Sequence, residues 1–320
     1  MPFDASTFLL IGFAAFVLGA LALDLGVFHR EAHVVSAREA LSWTAVWVTS
    51  AIVFGFLVLG VRGPDTAVEY FTGYVIEYSL SVDNVFVFGL VFAAFAIPLE
   101  LQHRVLFGGV VGALVMRGVM IAIGAELIER FDWILLVFGA FLVLTGLQML
   151  RRRGEHASHP EQSAIVHFAK RHLRVTSELH GQRFFVANGV GRVATPLFLA
   201  LLVVESSDLI FAVDSIPAIF GVTTDPFVVF TSNAFAILGL RSLYFLLAEA
   251  KDRFRYLPIG LAVILLVIGV KLLVTPWLHV PALLGLAIVL GIVTGAIVAS
   301  QVADRRARAT GAAGEPAPGT

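Results

Sequence analysis

Two stretches of the chain set acidic residues among apolar ones. Residues 76–88, IEYSLSVDNVFVF, carry Glu77, Asp83 and Asn84, and residues 203–220, VVESSDLIFAVDSIPAIF, carry Glu205, Asp208 and Asp214. Together with Ser79, Ser81, Ser206, Ser207 and Ser215 they form a donor set made wholly of oxygen, with no thiolate, thioether or imidazole at mid-span. Such a set suits hard divalent ions, Mn²⁺, Mg²⁺ or Ca²⁺, better than Cu⁺ or Zn²⁺. A carboxylate at the centre of a bilayer costs at least ~2.5 kcal/mol, so five of them need a compensating positive charge. Arg117, Arg241 and Lys271 are the bases within apolar segments and are expected to pair with the acids. Three bases against five acids leaves two negative charges, which one divalent cation or two protons would neutralise. A purely structural ion-pair network is the alternative, since breaking a buried pair is costly.

The elements that must hold these residues are membrane helices. The 320 residues are 58% hydrophobic and 14% charged, with a mean hydropathy of +0.91. A soluble domain is nearer half apolar and a quarter charged. Apolar runs of about 20 residues, the length of a helix crossing the hydrocarbon core, recur throughout. They predict nine spans, at 7–28, 40–61, 66–97, 104–126, 131–150, 196–220, 227–248, 256–275 and 281–301. The fold class is therefore all-α, a polytopic transmembrane bundle over 1–301 with a loop at 151–194 and a disordered cytoplasmic tail at 302–320. With the N-terminus outside, 17 Lys and Arg fall in inner segments and 2 in outer ones, which by the positive-inside rule puts the C-terminus in the cytoplasm. The N-terminus, MPFDASTF, lacks a basic leader region, so the first run is expected to be a retained helix. The chain has no cysteine, hence no disulfide and no thiol redox pair of its own.

Residues 80–118 can be laid on 205–242. Asp83 then falls on Asp208, Phe86 on Phe211 and Arg117 on Arg241; further along, Arg130-Phe131 falls on Arg253-Phe254 and Gly146 on Gly269. The matches predict a duplication of spans three to five into spans six to eight. Three spans is an odd number, so the copies insert in opposite directions, as in secondary transporters with midplane sites on discontinuous helices. On a straight helix Glu205 and Asp208 share a face, being about 60° apart, whereas Asp214 lies about 180° from Glu205. Glu77 and Asn84 share a face from which Asp83 is turned. Convergence of all six thus predicts helices broken at the midplane, near Pro217 and the serines, which can satisfy freed backbone groups.

Other candidates carry less. Asp24, in LALDLGVFHR, could line an inner vestibule or simply reach the interface. Asn233 and Gln148 read as interhelical hydrogen-bonding residues. The segment 151–194 holds five of the nine histidines (156, 159, 167, 172 and 180). It is either a metal sensor or a basic, solvated linker with a short helix around 161–175. No hydrolase triad, phosphate loop or metalloprotease helix is present, so no enzyme is expected.

The paired stretches EYSLSVDN and VESSDLIFAVDSIP, with LALDLGVFHR and the EALSW run at 39–43, resemble the TerC family of integral membrane proteins over about residues 10–300. The resemblance implies a nine-span bacterial inner-membrane protein related to the LysE superfamily of exporters and first associated with tellurium resistance. It implies Mn²⁺ efflux as the function, with Glu77, Asp83, Asn84, Glu205, Asp208 and Asp214 as metal ligands. The alternatives are a non-transporting scaffold in metal and tellurite stress, or a Ca²⁺ or H⁺ transporter. The expected partners are the cation and the bilayer, with a second copy of the chain or a cytoplasmic protein at 151–194 as further ones. No nucleic acid is expected.

Overall fold

The computed structural model describes residues 5–23, 35–131, 133–151, 164–176, 178–187, 192–247, 256–278 and 280–312; a few side chains within them, Asp83 and Phe86 among these, fall outside the description. Ten helices and two short strands follow in order: α1 (Ala5–Leu23), α2 (Ala37–Arg62), α3 (Pro64–Ala94), α4 (Leu99–Arg130), α5 (Ile134–Arg151), α6 (Ala164–His172), β1 (Phe185–Ala187), β2 (Arg192–Ala194), α7 (Pro196–Phe220), α8 (Pro226–Leu247), α9 (Leu257–Val274) and α10 (Ala282–Ala312). Eight of the helices are long and apolar enough to cross a membrane, and α1 is a shorter apolar helix. The all-α transmembrane bundle predicted from composition is thus the fold.

Local chemistry sets the helix ends. Ser36 caps α2 by accepting the Glu39 N–H at 3.3 Å, which satisfies one of the unpaired donors of the first turn. A single residue, Gly63, links α2 to α3 with φ at 91°, where a side chain would be strained. Pro64 follows at the first position of α3, where its missing N–H costs nothing.

The 31 residues of α3 form one continuous helix, roughly 46 Å long and so longer than a ~30 Å hydrocarbon core. α7 likewise runs unbroken through 25 residues, with Pro217 tolerated in its last turn. This corrects the expectation of broken helices at the midplane. Three of the serines expected to satisfy freed backbone bond instead to carbonyls of their own intact helices: Ser79 to Val75 at 2.6 Å, Ser206 to Val203 at 2.9 Å and Ser207 to Val203 at 2.8 Å. That is ordinary back-bonding within a helix. No unwound stretch is left for them to satisfy.

α8 is the innermost span, with 83% of its apolar window buried, and α3 follows at 62%, whereas α10 has 6%. The acid-bearing helix α3 is therefore central, and the outer faces of the peripheral helices are left to lipid. α3 packs on α8, α4 on α7 and α5 on α9, with further contacts between α3 and α7 and between α4 and α8. The α5–α9 seam is made by glycine. A Cβ on Gly139 would lie 2.9 Å from the Gly269 carbonyl oxygen, and one on Gly146 would lie 2.8 Å from that of Ala262. Residue 139 faces 269 and residue 146 faces 262, so the two helices run antiparallel.

The segment after α5 is more than a solvated linker. α6 buries Val166 and Ala169 against α7. β1 and β2 form an antiparallel pair with Val186 opposite Val193, and Phe185 packs against Phe198 of α7 with ring centroids 4.4 Å apart and planes tilted by 48°. Residues 152–163, with His156 and His159, lie outside the described residues. At the other end, α10 continues to Ala312, so residues 302–312 of the expected disordered tail are helical. Their run of Ala and Arg, both strong helix formers, accounts for the extension.

Candidate functional site

Three helices place polar side chains around one guanidinium carried by a fourth. Arg117 of α4 is 1% exposed. It holds the Asp208 carboxylate of α7 in a bidentate grip, Nε donating to Oδ2 at 3.1 Å and Nη2 to Oδ1 at 2.7 Å. Its Nη1 donates to Oε1 of Glu77 on α3, and also to Oγ of Ser215 and Oδ1 of Asn233, both at 3.2 Å. Asn84 Nδ2 donates to Asp208 Oδ1 at 3.4 Å. Glu77, Asn84, Asp208, Ser215 and Asn233 are all buried. Straight helices suffice for this, because seven-residue spacing puts Glu77 with Asn84, and Asp208 with Ser215, on single faces.

The remaining predicted residues take separate places. The Glu205 carboxylate sits against Gly112 of α4, in space that a Cβ there would fill. Asp214 accepts a hydrogen bond from Thr145 of α5 at 3.3 Å. Arg241 lines two voids of about 10 Å³, one of which Asp208 shares; each is hardly larger than one water needs. Lys271 borders an apolar cavity of about 260 Å³ between α3, α9 and α10. Asp24 and the Asp83 side chain lie outside the described residues. Among the described residues no three His, Asp or Glu side chains form a group that could hold a metal ion. Among the described side chains the predicted residues thus surround more than one point: Arg117 fills the gap between Glu77 and Asp208, Asp214 joins Glu77 and Asn84 on a neighbouring cavity, and Glu205 turns to Gly112.

A cavity of about 170 Å³ adjoins the cluster, lined by Glu77, Asn84, Arg117, Asp214 and Ser215 on its polar side and by apolar residues such as Phe211 and Leu265 elsewhere. Glu77 Oε2 and Asn84 Oδ1 are buried acceptors without a hydrogen-bond partner among the described residues. Buried polar atoms are nearly always paired, so two unpartnered buried oxygens on residues that line this cavity mark a place where a positively charged or hydrogen-donating occupant would be stabilised. The expected interhelical hydrogen bond of Asn233 is present, and its partner, which the sequence does not indicate, is Arg117. An isolated amide within apolar α8 gives no directional signal.

The family described as "Integral membrane protein TerC family" matches residues 62–308. The chain is 48% identical over 306 residues to "Uncharacterized membrane protein STKORF319" of Myxococcus xanthus, covering 96% of each chain. It is 48% identical over 296 residues to "Putative membrane-bound redox modulator Alx" of Escherichia coli (strain K12), covering 88% of this chain and 90% of the relative. A more distant relative, "Uncharacterized membrane protein" of Rickettsia bellii (strain RML369-C), is 38% identical over 294 residues. No solved structure matches.

Proposed function

The chain belongs to the integral membrane protein TerC family, and on that premise we propose that it exports a divalent cation, Mn²⁺ first among candidates, across the bacterial cytoplasmic membrane. The observation that carries this reading is the 170 Å³ cavity lined by Glu77, Asn84 and Asp214, together with the buried Glu77 Oε2 and Asn84 Oδ1, which have no hydrogen-bond partner among the described residues. Glu77 and Asp214 on the cavity and Asp208 beyond Arg117, set against that one guanidinium, leave two negative charges over cluster and cavity together, which a divalent ion would balance. Oxygen donors favour Mn²⁺, Mg²⁺ and Ca²⁺. Ca²⁺ remains the competing substrate, because it accepts the same donors in a larger and more flexible cage.

Alternating access would come from an inverted repeat of α3–α5 and α7–α9. Three observations support it. Exchanging the two sets of helices maps the helix contacts α3–α8, α4–α7 and α5–α9 onto themselves. α5 and α9 are antiparallel. Adding the offset of 123 to Gly139 and Gly146 gives Ala262 and Gly269, so the two close approaches exchange under the same operation. The distribution of Lys and Arg supports an outer N-terminus and a cytoplasmic C-terminus. Arg117 and Arg241, at matching positions of the repeats, would hold and release the acids as the halves rock. The Escherichia coli relative's name points to redox; a chain without cysteine has no thiol couple, so here such an effect would follow from metal movement.

The test is flux through the full chain purified into liposomes, with Mn²⁺, Ca²⁺ and H⁺ measured separately against a chelator control. Mn²⁺ flux that falls at least about tenfold in Asp208→Asn, at unchanged membrane abundance, is the expected result, since a charge-assisted bond contributes about 1.5–3 kcal/mol. Wild-type flux in that variant would refute the site. Absence of flux in the wild type, with function lost on deleting 155–190, would favour a scaffold that docks a cytoplasmic partner.

A further inference from the structure

Arg117 raises a problem for any cation carrier, because it occupies the two carboxylates that should attract the substrate. Its guanidinium makes five hydrogen bonds to four side chains, more than one ion pair needs, and the bonds come from α3, α7 and α8 together. That occupation is incomplete: Glu77 is held through Oε1, while its Oε2 has no hydrogen-bond partner among the described residues. We propose that Arg117 is a tethered surrogate cation, which fills the Glu77–Asp208 pair in the empty carrier and must be displaced by the substrate. This rests on the cation-export reading and assigns Arg117 a role in selectivity and in the return step.

The selectivity follows from charge. A monovalent ion entering between Glu77 and Asp208 would replace one positive charge by another and forfeit the guanidinium's directional bonds. A divalent ion at the same place doubles the Coulomb attraction to both carboxylates, which at low effective dielectric outweighs the lost bonds. The site therefore admits cations by valence. The return step follows from the same geometry. Reorienting an empty site with two bare buried carboxylates would carry a heavy desolvation cost, whereas re-entry of the tethered guanidinium leaves that pair with a single net negative charge. Net efflux then needs no counter-ion bound at these two acids.

The experiment uses the full chain in liposomes with Mn²⁺ as the probe, and compares equilibrium binding, Mn²⁺/Mn²⁺ exchange and net efflux. For Arg117→Gln, Mn²⁺ binding in choline chloride should tighten about tenfold, the effect of removing a competitor worth ~1.4 kcal/mol. Replacing choline by Na⁺ should weaken Mn²⁺ binding in this variant and leave the wild type unaffected. Net efflux should fall far more than exchange, because only the unloaded return needs the surrogate. Arg117→Lys keeps the charge and should keep a ratio of net efflux to exchange near the wild-type value; it also serves if the glutamine variant fails to fold. Weaker Mn²⁺ binding in Arg117→Gln, with exchange and net efflux lost in parallel, would overturn the proposal and make Arg117 a structural tie. A lysine variant whose ratio collapses would overturn it as well. A wild type that neither binds nor moves Mn²⁺ defeats the export reading itself, a result distinct from either of these.

Discussion

Two seams hold the bundle together by opposite means. Between α3, α4 and α7, buried charges of opposite sign meet, the Arg117 guanidinium bonding Asp208 and Glu77. Between α5 and α9, glycines let the backbones approach directly, Gly139 facing Gly269 and Gly146 facing Ala262, with Val143, Leu266 and Leu272 packed around them. In lipid there is no hydrophobic force to press helices together, so association relies on such close packing and on interhelical hydrogen bonds. The glycine seam gains dispersion from fixed shapes and loses it at once if the helices part. The polar seam can exchange one occupant for another, because its acids are indifferent to whether a guanidinium or a metal ion supplies the positive charge. Motion is thus expected at the polar seam and rigidity at the glycine seam.

The largest effect should come from breaking the polar seam on one side. Asp208→Ala leaves Arg117 buried with its bidentate partner gone, which should cost about 3–5 kcal/mol. The loss should appear as a lower thermal midpoint of the detergent-purified protein and as reduced membrane abundance. Asp208→Asn keeps the shape and an acceptor oxygen, so it should unfold much closer to the wild type while losing flux. Equal destabilisation by the two substitutions would show that shape, and not charge, holds this seam.

A smaller loss is expected at the glycine seam. A methyl group at Gly269 would meet the Gly139 carbonyl oxygen at 2.8 Å and Val143 at 2.9 Å, contacts that backbone cannot easily relieve. Gly269→Ala should therefore cost about 1–3 kcal/mol by overpacking. Gly60→Ala in α2, with nothing within 4 Å of the added carbon, is the matched control and should leave the thermal midpoint unmoved. A parallel loss in both variants would indicate a general effect of helical glycine and remove the contrast between the seams.

Hydropathy made most spans legible, 196–220 coinciding with α7 and 227–248 differing from α8 by one residue at each end, whereas 281–301 stops well short of the end of α10 at Ala312. Apolar length is a property of sequence alone, so this is expected. The acids were legible because charge inside an apolar run is costly and therefore informative. Their partners were less so. Arg117 was named as a pairing base, but its choice of Glu77 and Asp208, and the contribution of Asn233, depend on how four helices are rotated about their axes. Helix rotation is set by packing, and single-sequence periodicity is weak in helices that are apolar on every side. The β1–β2 pair was missed for a related reason: strands of three residues carry too few positions for alternation to register. The broken helices were an inference from convergence, and they fail because one long arginine side chain spans the gap that unwinding was invoked to close.

The finest test separates position from stability within the polar seam. Gly112 sits where its missing side chain makes room for the Glu205 carboxylate, and that carboxylate lies on α7 three residues before Asp208. Gly112→Ala would push on the end of a flexible side chain and not on backbone, so Glu205 can swing aside at little cost. The thermal midpoint should shift by less than that of Gly269→Ala, on the order of 1 kcal/mol or below, within the range of ordinary substitutions. Mn²⁺ flux is the discriminating measurement. If Glu205 serves the cation path, its displacement should lower flux while the fold stays intact. If flux and midpoint both remain at wild-type values, Glu205 belongs to packing alone, and the functional acids contract to those around Arg117 and the adjoining cavity.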